Sequence, residues 1–182
     1  TLLNNYIART SYIVENDQTT LDDNTVIYDG EEVETYANVN HDNAYIYGST
    51  LTLGGNLSKH FKTSASATYT KGRVYDSGLP LSSIPPLFGN VDFVFAKKRL
   101  EMSLSFRFNA TKKIEDYNLI EGIDNIEQTP INEDGDFVGT PSWNSLNFYS
   151  SYTITKNLNI QFMIDNIFDN HYKEFASGIS AP

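Results

Sequence analysis

Hydrophobic positions along the chain recur with a period of two and almost never with a helical period, the pattern of strands whose two faces meet different surroundings. Between Leu100 and Asn109 one face carries Leu100, Met102, Leu104, Phe106 and Phe108, and the other Glu101, Ser103, Ser105, Arg107 and Asn109. The split returns at Leu146, Phe148, Tyr152 and Ile154 against Ser145, Asn147, Tyr149, Ser151 and Thr153. It recurs at Leu158, Ile160, Phe162 and Ile164 against Asn159, Gln161 and Asp165, with Met163 and Ile167 as mild exceptions. The pattern predicts about seven strands, near 1–14, 35–57, 61–75, 84–97, 99–111, 142–155 and 158–170. Several reach about ten residues, longer than the five or six usual in soluble sheets and close to the 9–11 that a tilted strand needs to cross a bilayer.

The connections between these segments are of two kinds. Ser58-Lys59-His60, Lys97-Lys98-Arg99 and Thr155-Lys156-Asn157 are tight and basic, whereas 15–34, 76–83, 112–140 and 171–182 read as the loops of the opposite end. Short turns at one end and long loops at the other are the habit of an antiparallel up-and-down transmembrane β-barrel. Pro85-Pro86 marks a loop entering a strand, because neither residue can donate a ladder hydrogen bond, and Pro130 and Pro141 bracket the tip of the third loop.

Charge sharpens this division. The 182 residues carry 13 Lys+Arg against 23 Asp+Glu, a net charge of −10 that argues against nucleic acid as a partner. Sixteen of those acids lie in two loops, at Glu15, Asp17, Asp22, Asp23, Asp29, Glu31, Glu32 and Glu34, then Glu115, Asp116, Glu121, Asp124, Glu127, Glu133, Asp134 and Asp136. The absence of Cys excludes a disulfide framework, a thiolate nucleophile and Cys-ligated metal. His41, His60 and His171 are widely separated, so no metal site is expected. Asn132-Glu133-Asp134-Gly135-Asp136 lacks the ligand spacing of a calcium loop and reads as an acidic turn. No nucleophile elbow occurs, and paired acids such as Asp22-Asp23 sit in a charge run, so no enzymatic activity and no cofactor are expected.

Aromatic residues make up 13% of the chain, with 12 Tyr and 11 Phe. Those near strand ends, including Tyr6, Tyr12, Tyr45, Tyr47, Phe61, Tyr69, Phe93, Phe95, Phe148, Tyr149 and Tyr152, suit interfacial girdles and a lipid-facing surface. Tyr75, Phe88, Tyr117, Phe137 and Trp143 lie in loops or at inward positions and are the candidates for touching a ligand. Arg9 and Arg107 interrupt otherwise neutral strands, so both are expected to face the lumen, paired with carboxylates or meeting an anionic ligand.

Asp165-Asn166-Ile167-Phe168-Asp169-Asn170-His171-Tyr172 and Gly178-Ile179-Ser180-Ala181-Pro182 carry a family resemblance, together with Ile84-Pro85-Pro86-Leu87-Phe88-Gly89, Pro141-Ser142-Trp143-Asn144-Ser145-Leu146-Asn147, and Asn38-Val39 followed by Ala44-Tyr45-Ile46-Tyr47-Gly48. In this order they resemble the C-terminal part of the barrel of TonB-dependent outer-membrane receptors, most nearly those of the Bacteroidetes type. The family often has an acidic residue two positions after the glycine, where this chain has Thr50.

The resemblance implies an all-β fragment of about seven strands from a 22-stranded barrel, without the N-terminal plug, the TonB box or the final strand. It also implies import of a scarce nutrient (a ferric siderophore, haem, cobalamin or a glycan) through the outer membrane of a Gram-negative cell. Its partners would be the TonB–ExbB–ExbD system, outer-membrane lipid and the nutrient. The rival fold is a soluble, secreted β-sandwich binding module of carbohydrate-binding or adhesin type, which would bury its apolar strand faces against a second sheet.

Overall fold

The computed structural model describes residues 1–11, 25–40, 43–119, 124–177 and 180–181. Tyr12, His41, Glu121, the acids Glu15, Asp17, Asp22 and Asp23, and Gly178, Ile179 and Pro182 therefore lie outside the described residues. Among the described residues the regular structure is all β, interrupted by two single 3₁₀ turns at Ile114–Asp116 and Ile126–Gln128.

The strands are β1 (Leu2–Leu3), β2 (Ile7–Ser11), β3 (Thr25–Tyr28), β4 (Glu31–Glu34), β5 (Tyr36–Asn40), β6 (Ala44–Asn56), β7 (Phe61–Val74), β8 (Phe88–Lys97), β9 (Leu100–Asn109), β10 (Trp143–Thr155), β11 (Leu158–Ile164), β12 (Tyr172–Lys173) and β13 (Ser180–Ala181). Seven form one antiparallel sheet in the order β1-β6-β7-β8-β9-β10-β11, so sequence neighbours are spatial neighbours from β6 onward. The other ladders are two-stranded. Strands β6 and β10 have 13 residues, β7 has 14, and β8 and β9 have 10 each, long enough to cross a bilayer with tilt.

Register turns the sequence alternation into two chemically distinct surfaces. Leu53, Ala65, Val91, Phe106 and Leu146 lie in one row across β6 to β10, and Phe93, Leu104, Phe148 and Ile164 continue the same face across β8 to β11. This face is solvent-accessible: Leu51 is 61% exposed, Leu53 60%, Ile160 56% and Phe162 55%, and among the described residues no second sheet covers it. The sandwich alternative is thereby corrected, because a sandwich must bury that row in an interior. A continuous apolar face this open is one that calls for another apolar surface or medium against it.

The opposite face is polar and hydrogen-bonded across strands. Thr50 Oγ1 lies 3.0 Å from Thr68 Oγ1, so the position where the family often carries an acid is here a neutral Thr–Thr pair. Asp92 accepts hydrogen bonds from Ser105 Oγ at 2.6 Å and from Asn90, which lies two residues along the same strand. Ser66 donates to Asn90, and Ser151 to Asn159 at 3.0 Å. Gly89 sits where a side chain would collide with the Ser66 carbonyl oxygen at 2.2 Å and with Cζ of Phe108 at 2.7 Å. The Phe108 ring thus occupies the space above the glycine, a cross-strand aromatic cover for a residue that has no side chain.

At one end the strands are joined by turns of a few residues, with Lys98 in the left-handed region at φ 56°. The other end carries the loops, and there the buried hydrophobic residues gather. Ala44, Val74 and Leu81 form a small cluster with Leu3, Tyr6, Ile46 and Ile84 packed on it. The expected loop at 15–34 contains a hairpin, β3 with β4, closed by Asp29 and Gly30 at positive φ. Asp-Gly between Val26-Ile27-Tyr28 and Glu31-Glu32-Val33 is a strong two-residue hairpin signal, obscured in the sequence by the surrounding acids.

Candidate functional site

The site is built where the ends of β8, β9 and β10 meet the returning chain after β11. Trp143 opens β10 opposite Asn109, and Asn109 is also opposite Phe88, so all three belong to the polar face of the sheet. Arg107 lies one alternate position below, opposite Asn90 and Ser145. The chain after β11 is folded back onto β10 by its asparagines. Asn166 N–H donates to Asn147 Oδ1 at 2.8 Å, and Asn166 Nδ2 donates to the Asn170 carbonyl at 2.9 Å. Asn170 Nδ2 in turn donates to the carbonyl of Asn144 at 3.1 Å. Asn166 and Asp169 both take positive φ, a conformation that Asn and Asp tolerate better than other side chains. The segment Asp165 to Tyr172 is therefore a clasp, and it lays Tyr172 flat on Trp143 with ring centroids 4.2 Å apart at an interplanar angle of 20°.

Beyond Tyr172 the chain delivers Glu174, whose carboxylate accepts a hydrogen bond from Arg107 at 3.1 Å. The Arg107 guanidinium carbon also stands 5.7 Å from the Trp143 ring centroid. Both partners of this ion pair are about half exposed, so the contact adds little stability and the guanidinium keeps donors to offer. Phe88, Asn90, Ser105, Arg107, Trp143 and Glu174 line an open cavity of about 550 Å³. A second cavity of about 380 Å³ shares Trp143 as a wall and is bounded by Asp124, Gln128, His171, Tyr172 and Lys173. The Trp143 indole N–H is buried without an acceptor among the described residues.

Beneath the loops lies a buried polar knot. Lys112 and Asp124 are each 2% exposed at the side chain and lie 3.1 Å apart. Lys112 Nζ also donates to the Ile84 carbonyl at 2.7 Å and stands 3.9 Å from the Phe175 ring centroid and 4.7 Å from that of Tyr117. The second Asp124 oxygen accepts Ser83 N–H at 2.8 Å. Lys112 and Thr140 exchange backbone hydrogen bonds at 2.9 and 3.0 Å, and the Tyr117 hydroxyl pairs with Thr140 Oγ1 at 2.6 Å. Next to this bridge, Gly139 has φ +85°, and a side chain there would meet the Lys112 carbonyl oxygen at 2.2 Å. Lys112 thus ties together the loop after β7 and the segment after β12 through its ammonium, and the two arms of the loop after β9 through its backbone.

Burial pulls the Lys112 ammonium below the usual lysine value of 10.5, against the opposing pull of Asp124, and burial also raises the Tyr117 hydroxyl above its usual 10.0. The two have opposite signs in linkage. The folded chain holds fewer protons on Lys112 than the unfolded chain between the lowered value and 10.5, so closure of the loops strengthens as pH rises through that window. Tyr117 stays protonated in the folded state where the unfolded chain ionises, so closure weakens as pH rises above 10.0. Amide exchange of 110–118 against alkaline pH is expected to show protection rising and then falling. Lys112→Met combined with Asp124→Leu, which leaves no buried charge unpaired, should abolish the rise, and Tyr117→Phe should remove its own contribution to the fall.

Of the residues singled out in the sequence, Phe88, Arg107 and Trp143 converge on one cavity, and Tyr117 reaches it through Phe175, with ring centroids 6.0 Å apart in an edge arrangement. The other three are elsewhere. Arg9 lies in the β2–β5 ribbon with its guanidinium 4.2 Å above Tyr36, Tyr75 meets Tyr45 edge-on at 6.4 Å, and Phe137 bridges to Ile131 in a small loop turn. The acidic turn at 132–136 is closed by Asn132 Oδ1 accepting the N–H groups of Asp134 and Asp136 at 3.0 and 2.8 Å. Sequence reasoning did not pick out Glu174, Phe175 or the pair Lys112–Asp124 as a site. Their only signal was a lysine following a strand and facing an otherwise acidic loop.

A family model described as TonB dependent receptor-like, beta-barrel, matches residues 3–167. With a two-faced sheet, tight turns at one end and loops at the other, the chain belongs to this family of receptors and transporters. Among solved structures it is similar to the copper transporter OprC, with 18% identity and a TM-score of 0.68 over 96% of this chain and 23% of that one. A mutant of the ferric enterobactin receptor PfeA from Pseudomonas aeruginosa matches with 19% identity and a TM-score of 0.62, over 97% of this chain and 24% of its own. The FrpB iron transporter from Neisseria meningitidis matches with 10% identity and a TM-score of 0.57, over 96% and 24%. The chain thus spans about a quarter of the length of these structures, and at such identities the likeness is one of fold. No curated protein matches the chain.

Proposed function

We propose that this chain is part of the barrel wall of a Gram-negative outer-membrane receptor, of the Bacteroidetes type, that imports a small-molecule nutrient with energy from TonB–ExbB–ExbD. In this reading the apolar face of the sheet meets outer-membrane lipid, the polar face lines the lumen, and the loop end faces the outside of the cell. Ligand recognition falls to the loops and to the lumenal wall formed by Phe88, Arg107 and Trp143. The observation that carries the reading is the register-locked separation of one exposed apolar face from one hydrogen-bonded polar face.

The cavity offers a cation and aromatic surface in one place, which suits a ligand with a planar or apolar body and an anionic edge. The names of the similar structures, a copper transporter and a ferric enterobactin receptor among them, favour metal or metal chelates as cargo. The double substitution Arg107→Ala and Trp143→Ala in the intact receptor is expected to weaken binding of the transported nutrient by on the order of tenfold to a hundredfold, the loss of two central anchors. Uptake that is unaltered by this variant would remove the cavity from the ligand path, and uptake that persists without TonB would overturn the functional reading itself.

A further inference from the structure

The strongest charge feature outside the cavity lies at the turn end of the sheet. The chain is acidic overall, with a net charge of −10, yet the three turns joining β6 to β7, β8 to β9 and β10 to β11 carry Lys59, Lys97, Lys98, Arg99 and Lys156. Across 57–61, 95–101 and 154–158 the one carboxylate is Glu101. All five cations are exposed. Among the described residues, ion pairs engage Arg73, Arg107, Lys112 and Lys113, and none of these five.

Their arrangement follows from the topology. Turns at the same end of an up-and-down sheet recur every second strand, about 10 Å apart, so the cations form one row along the edge. The row borders the apolar face. Phe61 and Phe95 meet with ring centroids 4.8 Å apart beside His60, and Lys97 is opposite Leu100 on the register row of that face. Leu158, which follows the third turn, is 51% exposed. Arg99 is held in place by donating to the Ile154 carbonyl at 2.8 Å, which fixes its guanidinium at the edge with donors to spare. Aromatic rings followed outward by cations match the order of acyl chain, interface and headgroup that a lipid presents.

We propose that this edge is a binding surface for anionic phospholipid headgroups, recognised through their phosphodiester charge, in the leaflet on the turn side of the membrane. The proposal rests on the barrel reading above, and it assigns the row of turn cations a ligand independent of the imported nutrient. The surface is built by charge complementarity: an acidic chain concentrates uncompensated cations where a lipid phosphate would sit.

The test uses the intact receptor in mild detergent, titrated with phosphatidylglycerol or phosphatidylcholine and read as retained lipid by native mass spectrometry. Phosphatidylglycerol should bind on the order of tenfold more tightly or better, since each basic residue at an anionic surface contributes roughly fivefold. A variant carrying Lys59→Gln, Lys97→Gln, Lys98→Gln, Arg99→Gln and Lys156→Gln should lose that preference while its strand circular dichroism and nutrient binding stay unchanged. Should that variant fail to fold, salt gives the second reading on the unaltered receptor, where raising ionic strength from about 0.05 to about 0.5 M should erase the preference. Equal retention of the two lipids, a preference that survives in the variant, or one insensitive to salt would each overturn the proposal. Nutrient binding and TonB-dependent uptake, measured separately, report on the functional reading and not on this surface.

Discussion

Replacing Asp124 by alanine is expected to open the loop end of the sheet, at a cost of about 3–5 kcal/mol, because it strands a buried ammonium without its countercharge. Lys112 would keep the Ile84 carbonyl and the Phe175 and Tyr117 rings, none of which supplies a full negative charge. Ser83 N–H would lose its acceptor as well. The strands should remain paired, since their ladders do not pass through this pair. Limited proteolysis of the receptor should therefore cut within 76–87 and 112–140 far faster in Asp124→Ala, with the sheet intact. The double variant Lys112→Met with Asp124→Leu should recover much of the parent's resistance, because removing both partners leaves no buried charge without a countercharge. Equal resistance of Asp124→Ala and the parent would show that the loops are held by other contacts.

The second large effect concerns the faces of β9. Leu104 lies mid-strand on the apolar face, opposite Phe93 and Phe148, whereas its neighbour Ser103 lies on the polar face, opposite Val94 and Tyr149. Leu104→Arg should destabilise the receptor in lipid by about 2–4 kcal/mol, the cost of an arginine at the bilayer midplane of a barrel wall. Ser103→Arg points the same charge at the polar side and should cost much less. Urea-dependent unfolding from vesicles measures both. The contrast is the informative quantity, since the two positions adjoin in sequence and differ only in the face they occupy.

How much of this was legible in the sequence depends on the range of the interaction. Strands β9, β10 and β11 were visible because alternation is a local signal that each strand repeats for itself, and the register then had to align like with like. The tight turns were visible for the same reason, as short polar interruptions between long alternating runs. The β3–β4 hairpin was hidden by composition, since three of the four residues of β4 are glutamates.

The site was only partly legible. Phe88 and Trp143 stood out as aromatics in loops or at inward positions and Arg107 as a charge in a neutral strand, and the register brings the three together on the polar face. Glu174 reaches Arg107 across 67 residues, and only the fold-back of the Asn166 to Asn170 clasp puts it there. Lys112 and Asp124 are twelve apart in an irregular loop, where no period reports which side chains turn inward. Loop interiors of this kind are set by individual hydrogen bonds, and those leave no pattern to read.

The central claim, that one face of the sheet is clothed in lipid and the other is not, is tested most directly by a cysteine scan of β10. The chain contains no Cys, so in a receptor whose other residues are also freed of Cys, single substitutions from Ser145 to Ile154 can each carry one fluorescent label. In vesicles, labels at 146, 148, 150, 152 and 154 should be quenched by a lipid-soluble quencher, and those at 145, 147, 149, 151 and 153 should escape it, alternating residue by residue. Quenching that does not alternate, or labels at the apolar positions shielded from lipid and water alike, would contradict the account.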